Sequence, residues 1–247
     1  MARRRFFVSE VRRGSAELTG SDAEHLVRVL RVAPGQVFEL SDNRNVYLAE
    51  VESARKSSVV FRILEQLPAP QASVAITLLA ALIKFERFEW LLEKATELGV
   101  AAVQPVESVR TERGLAEGSR KRSTRWERVL REASEQSRRA HLPELKPVAR
   151  FNEALKTAEG TRLFLDEAPN ARPILHVIPE LRNADDRVQL LVGPEGGWTD
   201  EEREYAIQAG WRACSLAGNV LRAETAAIAA LAVVQAVWRG TTATSTG

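Results

Sequence analysis

The fold class of this chain is decided by the segment Leu190-Leu191-Val192-Gly193-Pro194-Glu195-Gly196-Gly197-Trp198-Thr199-Asp200-Glu201-Glu202. Its apolar start is typical of a strand that is covered on both faces. The glycines and the proline that follow indicate a rigid turn, since glycine frees the backbone and proline fixes one torsion. Thr199 and Glu202 have the spacing of a capping box, which predicts that a helix begins there. Open α/β sheets bind ligands at the carboxyl ends of their strands, so this turn is a candidate site.

Strand and helix patterns alternate over residues 71–240 as a whole. Such alternation predicts a mainly parallel sheet with helices on both faces. Gly99 and Gly210 follow two of the predicted helices, at the position where a helix C-cap favours glycine. The predicted strands are Val74–Leu82, Val100–Val106, Arg162–Asp166, Val188–Gly193 and Arg212–Ala217. The predicted helices are Glu86–Leu98, Ser123–Arg139, Asp200–Ala209 and Glu224–Arg239.

Residues 1–70 follow a different pattern, in which short β-type runs recur at regular spacing. This spacing predicts a small sheet or barrel. The proline-rich segment Leu67-Pro68-Ala69-Pro70-Gln71 predicts a linker between this β-rich domain (1–70) and the larger domain (71–240). The last residues, 241–247, are small and polar, and we expect them to be disordered. The β-type runs are Gln36–Leu40, Val46–Val51 and Ser58–Ile63.

One helix is predicted inside the first domain, from Asp22 to Arg31. Ser21 or Asp22 would cap its start, and Pro34-Gly35 would follow its end. Arg28 and Arg31 would then lie on one face of the helix, because they are three positions apart. This face has two interpretations, a contact to RNA phosphates or an ordinary solvated surface.

The composition narrows the possible function classes. Of the 247 residues, 45% are apolar and 28% are charged, and the net charge is +2, which is an ordinary globular mix. The single cysteine, Cys214, excludes an internal disulfide and a multi-cysteine metal site. His25, His141 and His176 lack the spacing of metal ligands, so we expect no metal. No apolar run reaches the roughly 20 residues that span a bilayer, and no signal-peptide pattern occurs, so we expect a cytoplasmic protein without membrane contact.

Residues 110–139 form a strongly basic region. It contains ten basic and five acidic residues, a local net charge of +5, and contrasts with the acidic segment 185–204. Charge asymmetry of this kind favours a polyanionic partner. A solvated helix face is the alternative interpretation.

A second glycine-containing segment follows the first after about twenty residues: Ser215-Leu216-Ala217-Gly218-Asn219-Val220-Leu221-Arg222-Ala223-Glu224-Thr225-Ala226. It too comes after a predicted strand and leads into a predicted helix, so the two loops would line one crevice. Arg222, Glu224 and Thr225 would point polar groups at this crevice from a helix start, where backbone N–H groups are unpaired. Neither loop has the glycine spacing of a dinucleotide fingerprint or the lysine of a phosphate-binding loop.

The two segments resemble motifs of the RsmE family, the 16S ribosomal RNA uridine N3-methyltransferases of the knotted SPOUT superfamily. Gly193–Gly197, with Trp198 and Glu202, is similar to the family's G-P-E-G-G stretch. Val220–Ala226 is similar to its I-L-R-x-E-T-A stretch. Further similar segments are His25–Arg31, Lys84–Arg87, Lys94–Val100 and Glu132–Arg139.

The resemblance implies an α/β fold, with a SPOUT-type parallel sheet and a C-terminal trefoil knot after a small PUA- or OB-like β-barrel that binds RNA. It implies S-adenosylmethionine as cofactor and methylation of N3 of one uridine in 16S ribosomal RNA of the small ribosomal subunit. It also implies a homodimer with the active site at the subunit boundary. The implied cofactor contacts are Val192, Gly193, Pro194, Glu195, Gly196, Gly197, Leu216, Val220 and Leu221.

Arg222 and Glu224 are the catalytic candidates on this reading. Arg222 would stabilise the negative charge that develops on the uracil oxygens. Glu224 would take the N3 proton or fix Arg222 by a salt bridge. The family usually has glycine where Ala217 stands and often arginine where Asn219 stands, so we expect an altered cofactor contact there. The RNA contacts are expected from Arg28, Arg31, Lys84, Arg87 and Arg138.

Two other functions are compatible with the sequence. A related knotted methyltransferase would act on another RNA, at a ribose 2′-hydroxyl or in tRNA. A non-catalytic factor would bind RNA during ribosome assembly, although such a factor would not need a cofactor crevice.

Overall fold

The computed structural model describes residues 4–69 and 72–242. The chain forms two compact units: unit 1 contains the residues up to Gln71 together with Arg131–Leu142, and unit 2 contains the remainder. Residues 70–71 of the predicted linker and 243–247 of the predicted tail lie outside the described residues, whereas 241 and 242 belong to the last helix. No helix in the described ranges is long and apolar enough to cross a membrane.

Unit 1 is built around a six-stranded mixed sheet. Its strands are β1 (Arg5–Phe7), β2 (Val11–Arg12), β3 (Ser15–Thr19), β4 (Val37–Ser41), β5 (Val46–Arg55) and β6 (Ser58–Leu67). They lie in the order β1-β4-β5-β6-β3-β2, and all neighbours are antiparallel except β1 and β4. The three predicted β-type runs correspond to β4, β5 and β6. The three amino-terminal strands were not predicted. β1 and β2 have only three and two residues, and β3 has the five residues Ser-Ala-Glu-Leu-Thr, of which only Ala16 and Leu18 are apolar.

The helix of unit 1, α1 (Gly20–Arg28), begins earlier than predicted. It follows Thr19, and no side chain caps its start, so the prediction that Ser21 or Asp22 caps the helix is wrong. The reason lies in Gly20, whose backbone has a left-handed φ of 63°. This conformation, which glycine adopts readily, lets the chain turn directly from β3 into the helix.

The same helix also ends three residues earlier than predicted. Arg31 has a left-handed backbone with φ 52°, and the Val32 N–H donates to the Leu26 carbonyl at 3.2 Å. The helical hydrogen-bond pattern ends at Val29, whose N–H donates to the His25 carbonyl, and the left-handed Arg31 turns the chain away from the helix. Arg28 and Arg31 therefore do not share a helix face, and that prediction is wrong.

Residues Arg131–Leu142 pack with unit 1 although they follow a long stretch of unit 2. Ser41 Oγ donates to the Ala140 carbonyl at 2.6 Å, and Arg5 Nη1 donates to the Arg138 carbonyl at 2.7 Å. The sequence pattern assigned this segment to the larger domain, because no linker signal precedes or follows it. These two hydrogen bonds join the segment to strands β1 and β4 of unit 1.

Unit 2 is built around an eight-stranded sheet whose strand pairs are all parallel. Its strands are β7 (Ala75–Ala81), β8 (Ala102–Glu107), β9 (Glu144–Leu145), β10 (Ala149–Arg150), β11 (Thr161–Leu165), β12 (Arg172–Pro173), β13 (Arg187–Val192) and β14 (Arg212–Ser215). The order is β10-β8-β7-β13-β11-β14-β12, and β9 pairs with β8. The predicted parallel sheet is therefore confirmed.

The strand of the opening segment, β13, lies between β7 and β11 and is buried on both faces. Leu190 and Val192 contribute to one hydrophobic core, and Leu191 contributes to another. Successive side chains of a strand point to opposite faces, so these two cores lie on opposite sides of the sheet. The continuous apolar run is thus explained by helices on both sides.

Helices cover both faces of this sheet. They are α2 (Phe85–Glu97), α3 (Leu115–Arg120), α4 (Ser123–Gln136), α5 (Phe151–Lys156), α6 (Asp200–Gln208) and α7 (Ala223–Thr242). The last turns of α4 belong to unit 1. Gly99 and Gly210 have left-handed φ values of 85° and 81°, which confirms the predicted C-caps.

Candidate functional site

A cavity of about 320 Å³ opens where three neighbouring strands of unit 2 end. These strands, β13, β11 and β14, are adjacent and parallel, so their carboxyl ends meet at one edge of the sheet. Loops 193–198, 166–167 and 216–222 continue from them and line the cavity together with the start of α7. The two glycine-containing loops are therefore brought together, with a third loop between them.

Eight of the nine predicted cofactor residues line this cavity, and Arg87 and Arg222 line it as well. The exception is Gly196, whose carbonyl accepts a hydrogen bond from Arg110 Nη1 at 2.6 Å. Glu224 is absent from the lining, although it directly follows residues that contribute to it. The eight lining residues are Val192, Gly193, Pro194, Glu195, Gly197, Leu216, Val220 and Leu221.

Trp198 explains two features of the glycine-rich loop. Its buried ring lies so close to Gly193 that a Cβ on that residue would meet the ring at 2.9 Å. Its Nε1 donates to the Leu165 carbonyl at 2.9 Å and so joins the end of β11 to the loop after β13. Gly193 is therefore required by packing against tryptophan, whereas Gly197 is required by its left-handed φ of 69°.

Glu202 fixes the other end of this loop. Thr199 accepts a hydrogen bond from the Glu202 N–H at 3.2 Å, and the Thr199 N–H donates to the Glu202 carboxylate at 3.0 Å, which confirms the capping box. The second carboxylate oxygen accepts from the Val109 N–H at 2.9 Å. The buried Glu202 side chain thus holds the loop after β8 against the loop after β13. The loop after β13 is therefore held rigidly between the sheet and α6.

The loop after β14 is more exposed than the loop after β13. The apolar side chain of Val220 is 77% exposed, and Arg222 is exposed beside it. The Arg222 carbonyl accepts from the Ala226 N–H at 2.8 Å, so Arg222 directly precedes the first residue of α7. Gly218 lies outside the left-handed region and a Cβ there would meet open space, so its bend does not require glycine.

Arg87, near the start of α2, connects two glutamates of the site. Its Nη1 forms an ion pair with Glu195, and its Nε lies 3.9 Å from Glu224 Oε1. Glu224 is only 6% exposed, and its Oε2 has no hydrogen-bond partner within the described ranges. Glu224 therefore lies behind Arg87. The ion pairs of the described residues join Glu224 to Arg87 and not to Arg222, contrary to the predicted salt bridge.

The remaining polar groups give the cavity an acidic wall. Asp166, Glu167 and Glu195 line it, opposed by Arg87 and Arg222. Both Asp166 oxygens accept from Arg203 Nε at 3.1 Å, which holds this carboxylate in place. Asp166 is paired with Arg203 and Glu195 with Arg87, so Glu167 is the carboxylate of this wall that could contact a positively charged group of a ligand.

Two further kinds of chemistry can be considered for this cavity, a cysteine nucleophile and a bound metal ion. Burial raises the pKa of the Cys214 thiol to about 12, so it stays protonated at neutral pH and is unreactive. Within residues 4–69 and 72–242, no group of three or more His, Cys, Asp and Glu side chains could hold a metal ion.

Comparison with known proteins identifies the family. A family model described as an RNA methyltransferase domain matches residues 70–235, and one described as an RNA methyltransferase PUA domain matches residues 18–64. A relative from Synechocystis sp., ribosomal RNA small subunit methyltransferase E, is 34% identical over 229 residues, which are 89% of this chain and 72% of the relative. The chain belongs to the ribosomal RNA small subunit methyltransferase E family. The resemblance to the RsmE family is thereby confirmed.

Solved structures extend this family likeness over both units. A ribosomal RNA small subunit methyltransferase E from Neisseria gonorrhoeae, bound to S-adenosyl methionine, has a TM-score of 0.86 and 30% identity, and the match covers 96% of this chain and 98% of that one. A putative methyltransferase from Legionella pneumophila in complex with the same cofactor has a TM-score of 0.87, 30% identity and equal coverage. The relative from Rickettsia conorii is 31% identical over 89% of this chain and 88% of its own length.

The predicted RNA-binding residues of this family member fall into two groups. Lys84 is exposed at the start of α2, and Arg87 lines the cavity of unit 2. Arg28, Arg31 and Arg138 belong to unit 1, where all three are exposed. Arg138 has a left-handed φ of 54° and lines a second cavity.

Sequence reasoning missed the third wall of the cavity, which contains Leu165, Asp166 and Glu167. The strand Arg162–Asp166 was predicted, and residues at the carboxyl end of a parallel strand are candidates for a ligand site. Its position between β13 and β14 was not readable, because strand order is set by tertiary packing. The role of Arg87 as the partner of Glu224 was missed for the same reason.

Proposed function

We propose that this chain transfers a methyl group from S-adenosylmethionine to N3 of a uridine in 16S ribosomal RNA of the small ribosomal subunit. The observation that carries the proposal is the cavity at the ends of β11, β13 and β14, which brings both family motifs to one place. The names of the relatives supply the substrate class, since they are small-subunit ribosomal RNA methyltransferases.

The residues of the cavity fit S-adenosylmethionine. Apolar side chains at Val192, Leu216 and Leu221 suit the adenine ring, and the acidic wall suits the positive sulfur and ammonium groups. Two neighbours that share the fold are bound to this cofactor. When bound, S-adenosylmethionine supplies the methyl group that is attached to the substrate nitrogen.

The cations of the site would stabilise the uracil as its N3 loses a proton. Arg222 is exposed at the start of α7, and we assign it to the developing negative charge on the uracil oxygens. Arg87 supplies a second cation in the cavity wall. Rigid placement of both, together with in-line positioning of N3, would supply much of the rate enhancement.

The two glutamates would then have different roles. Glu224 is buried behind Arg87 and does not line the cavity, so we assign it to holding Arg87 in place. Glu195 lines the cavity and is partly exposed, so it is better placed to accept the proton that leaves N3. The proposal thus keeps Glu224 as a functional residue but moves the proton transfer to Glu195.

The assembly and topology belong to the same proposal. The exposed apolar Val220 beside the cavity favours a homodimer in which the partner covers this loop. For the chain after β14 we propose the C-terminal trefoil knot that the family resemblance implies, with α7 packed in the same core as α2. For unit 1 we propose closure of the sheet into a PUA-like barrel that binds RNA, as the matching domain family suggests.

Mass spectrometry of digested 16S ribosomal RNA from a deletion strain tests the proposal. We expect one 3-methyluridine to disappear and to return when the wild-type gene is supplied. Loss of a ribose methyl group or of a tRNA methyl group would instead support a related methyltransferase with another substrate. An unchanged digest would overturn the proposed activity and leave a non-catalytic RNA-binding factor.

Binding to a fragment of small-subunit RNA at increasing salt tests the proposed RNA contacts. Neutralising several phosphates with Arg and Lys makes affinity fall by roughly 10³ to 10⁵ between 50 and 200 mM salt when six to ten contacts are made. We expect a steep fall of this kind. Affinity that barely changes would contradict the contacts assigned to Arg28, Arg31, Lys84, Arg87 and Arg138.

A further inference from the structure

Unit 1 contains a second cavity, of about 410 Å³. This volume lies within the range of roughly 300–1,000 Å³ that is typical of small-ligand sites. All its lining residues belong to unit 1, so the methyl-transfer site does not use it. Three parts of unit 1 meet there: β1 with the residue before it, α1 with the residues after it, and the segment Arg131–Leu142.

The cavity gives a location to a motif that the methyl-transfer site does not explain. Residues 132–139 are similar to a segment of the family, yet none of them lines the cavity of unit 2. Four residues of this motif line the cavity of unit 1, namely Glu132, Glu135, Gln136 and Arg138. The polar side chains of this motif therefore line the cavity of unit 1 and not the methyl-transfer site.

Two arginines at this cavity are available to a ligand. Arg4 and Arg138 are exposed, and the described part of the chain shows no ion pair for either guanidinium group. Arg5 is different, because it donates to the Glu39 carboxylate and to the Arg138 carbonyl and so has a structural role. Free guanidinium groups are well suited to phosphate oxygens.

Glu135 lines the cavity and supplies a carboxylate acceptor there. Burial raises the pKa of its carboxyl group to about 7, while a hydrogen bond from the Phe7 N–H and the charge of Arg131 act in the opposite direction. A titratable group that lines a cavity and has a perturbed pKa is a candidate for a ligand contact. A ligand with two adjacent N–H donors would satisfy it, since an ionised carboxylate only accepts hydrogen bonds.

The cavity also has an apolar wall. Phe6 and Leu30 line it, and the ring of Phe6 is held in place by Phe38, with ring centroids 5.4 Å apart. An apolar surface of this kind suits the face of a nucleobase. The cavity thus combines a surface for a base, an acceptor for its edge and cations for a phosphate.

We propose that this cavity binds one unpaired guanine nucleotide of the RNA substrate, with the base edge on Glu135 and the phosphate on Arg4 and Arg138. Guanine is the natural base whose Watson–Crick edge offers two adjacent donors, N1–H and the N2 amino group, to one carboxylate. Unpaired bases in RNA are commonly read through this edge. The inference rests on the proposed function only in taking RNA as the substrate.

Isothermal titration calorimetry of the full chain with the four nucleoside monophosphates tests the proposal. The titrations are done at pH 8, where Glu135 is ionised, and in the presence of S-adenosylhomocysteine to fill the cavity of unit 2. We expect GMP to bind at least about tenfold more tightly than AMP, CMP or UMP, as is typical of a bidentate contact to a base edge. Glu135→Gln should remove this preference, and Arg138→Ala should weaken all four nucleotides equally.

Glu127→Gln is the matched control, because Glu127 is an exposed glutamate of α4 that does not line the cavity. It should leave the preference for GMP unchanged. Equal affinity for all four nucleotides, no GMP binding, or a preference that survives Glu135→Gln would overturn the proposal. Failure of the proposed function looks different: a chain that selects GMP but leaves 3-methyluridine unchanged in cells contradicts the methylation alone.

Discussion

Replacing Arg87 by alanine tests whether Glu224 acts through it. The change leaves the Glu224 carboxylate buried without a cation, since its Oε2 has no hydrogen-bond partner among the described residues. At 3.9 Å the attraction between the two charges is about 4 kcal/mol for an effective dielectric constant near 20. The Arg87 side chain is 37% exposed, so water screens part of this. We therefore expect Arg87→Ala to lower the free energy of unfolding by about 2 to 3 kcal/mol.

The double variant with Glu224→Gln distinguishes this reasoning from a general loss of packing. Replacing the unpaired Glu224 carboxylate by a neutral amide should restore about 2 kcal/mol of the free energy of unfolding relative to Arg87→Ala alone. Methyl transfer should stay low in both variants, because the cation in the cavity wall is missing from both. All five tryptophans belong to unit 2, so urea unfolding followed by tryptophan fluorescence reports on the unit that contains this pair.

The control is Arg187→Ala, which removes an ion pair of the same unit with Glu159. Those side chains are 65% and 70% exposed, so the free energy of unfolding should change by no more than about 0.5 kcal/mol. The reasoning is refuted if the effects of Arg87→Ala and Glu224→Gln add to within about 0.5 kcal/mol, because independent sites behave in that way.

Three other predictions test separate parts of the molecule. Gly193→Ala should lower the free energy of unfolding by about 1 to 3 kcal/mol, since its Cβ would meet the Trp198 ring. Gly218→Ala is the control and should be neutral, because a Cβ there would meet open space. Equal urea midpoints for the two variants would contradict this packing. Arg222→Ala should reduce methyl transfer by roughly 100-fold or more while calorimetry still detects S-adenosylmethionine binding, and retained turnover would exclude its assigned role. The Glu135 carboxyl group has a raised pKa of about 7 when folded, so the folded state binds its proton more tightly and stability should rise as the pH falls through 7. From pH 8 to pH 5 the wild type should gain about 2 kcal/mol over Glu135→Gln, measured by urea unfolding followed by circular dichroism, and parallel pH curves would contradict the raised pKa.

Local patterns accounted for the elements on which the site is built. The apolar run of β13, the capping box at Thr199 and the C-cap glycines were all readable, because each depends on residues within a few positions of one another. The end of α1 was not readable. The chain leaves this helix through a left-handed arginine, Arg31, where a sequence pattern favours glycine.

The sequence by itself determined that two glycine-containing loops follow strands of a parallel sheet, and its motifs pointed to the methyltransferase family. Only the tertiary structure decided that β11 lies between those strands, that Arg87 shields Glu224, and that Arg131–Leu142 belongs to unit 1. Periodicity and capping are short-range properties of the chain, and a sequence records them directly. Strand order and the pairing of distant charges arise when buried surfaces meet, so they depend on contacts between residues as far apart as Arg87 and Glu224.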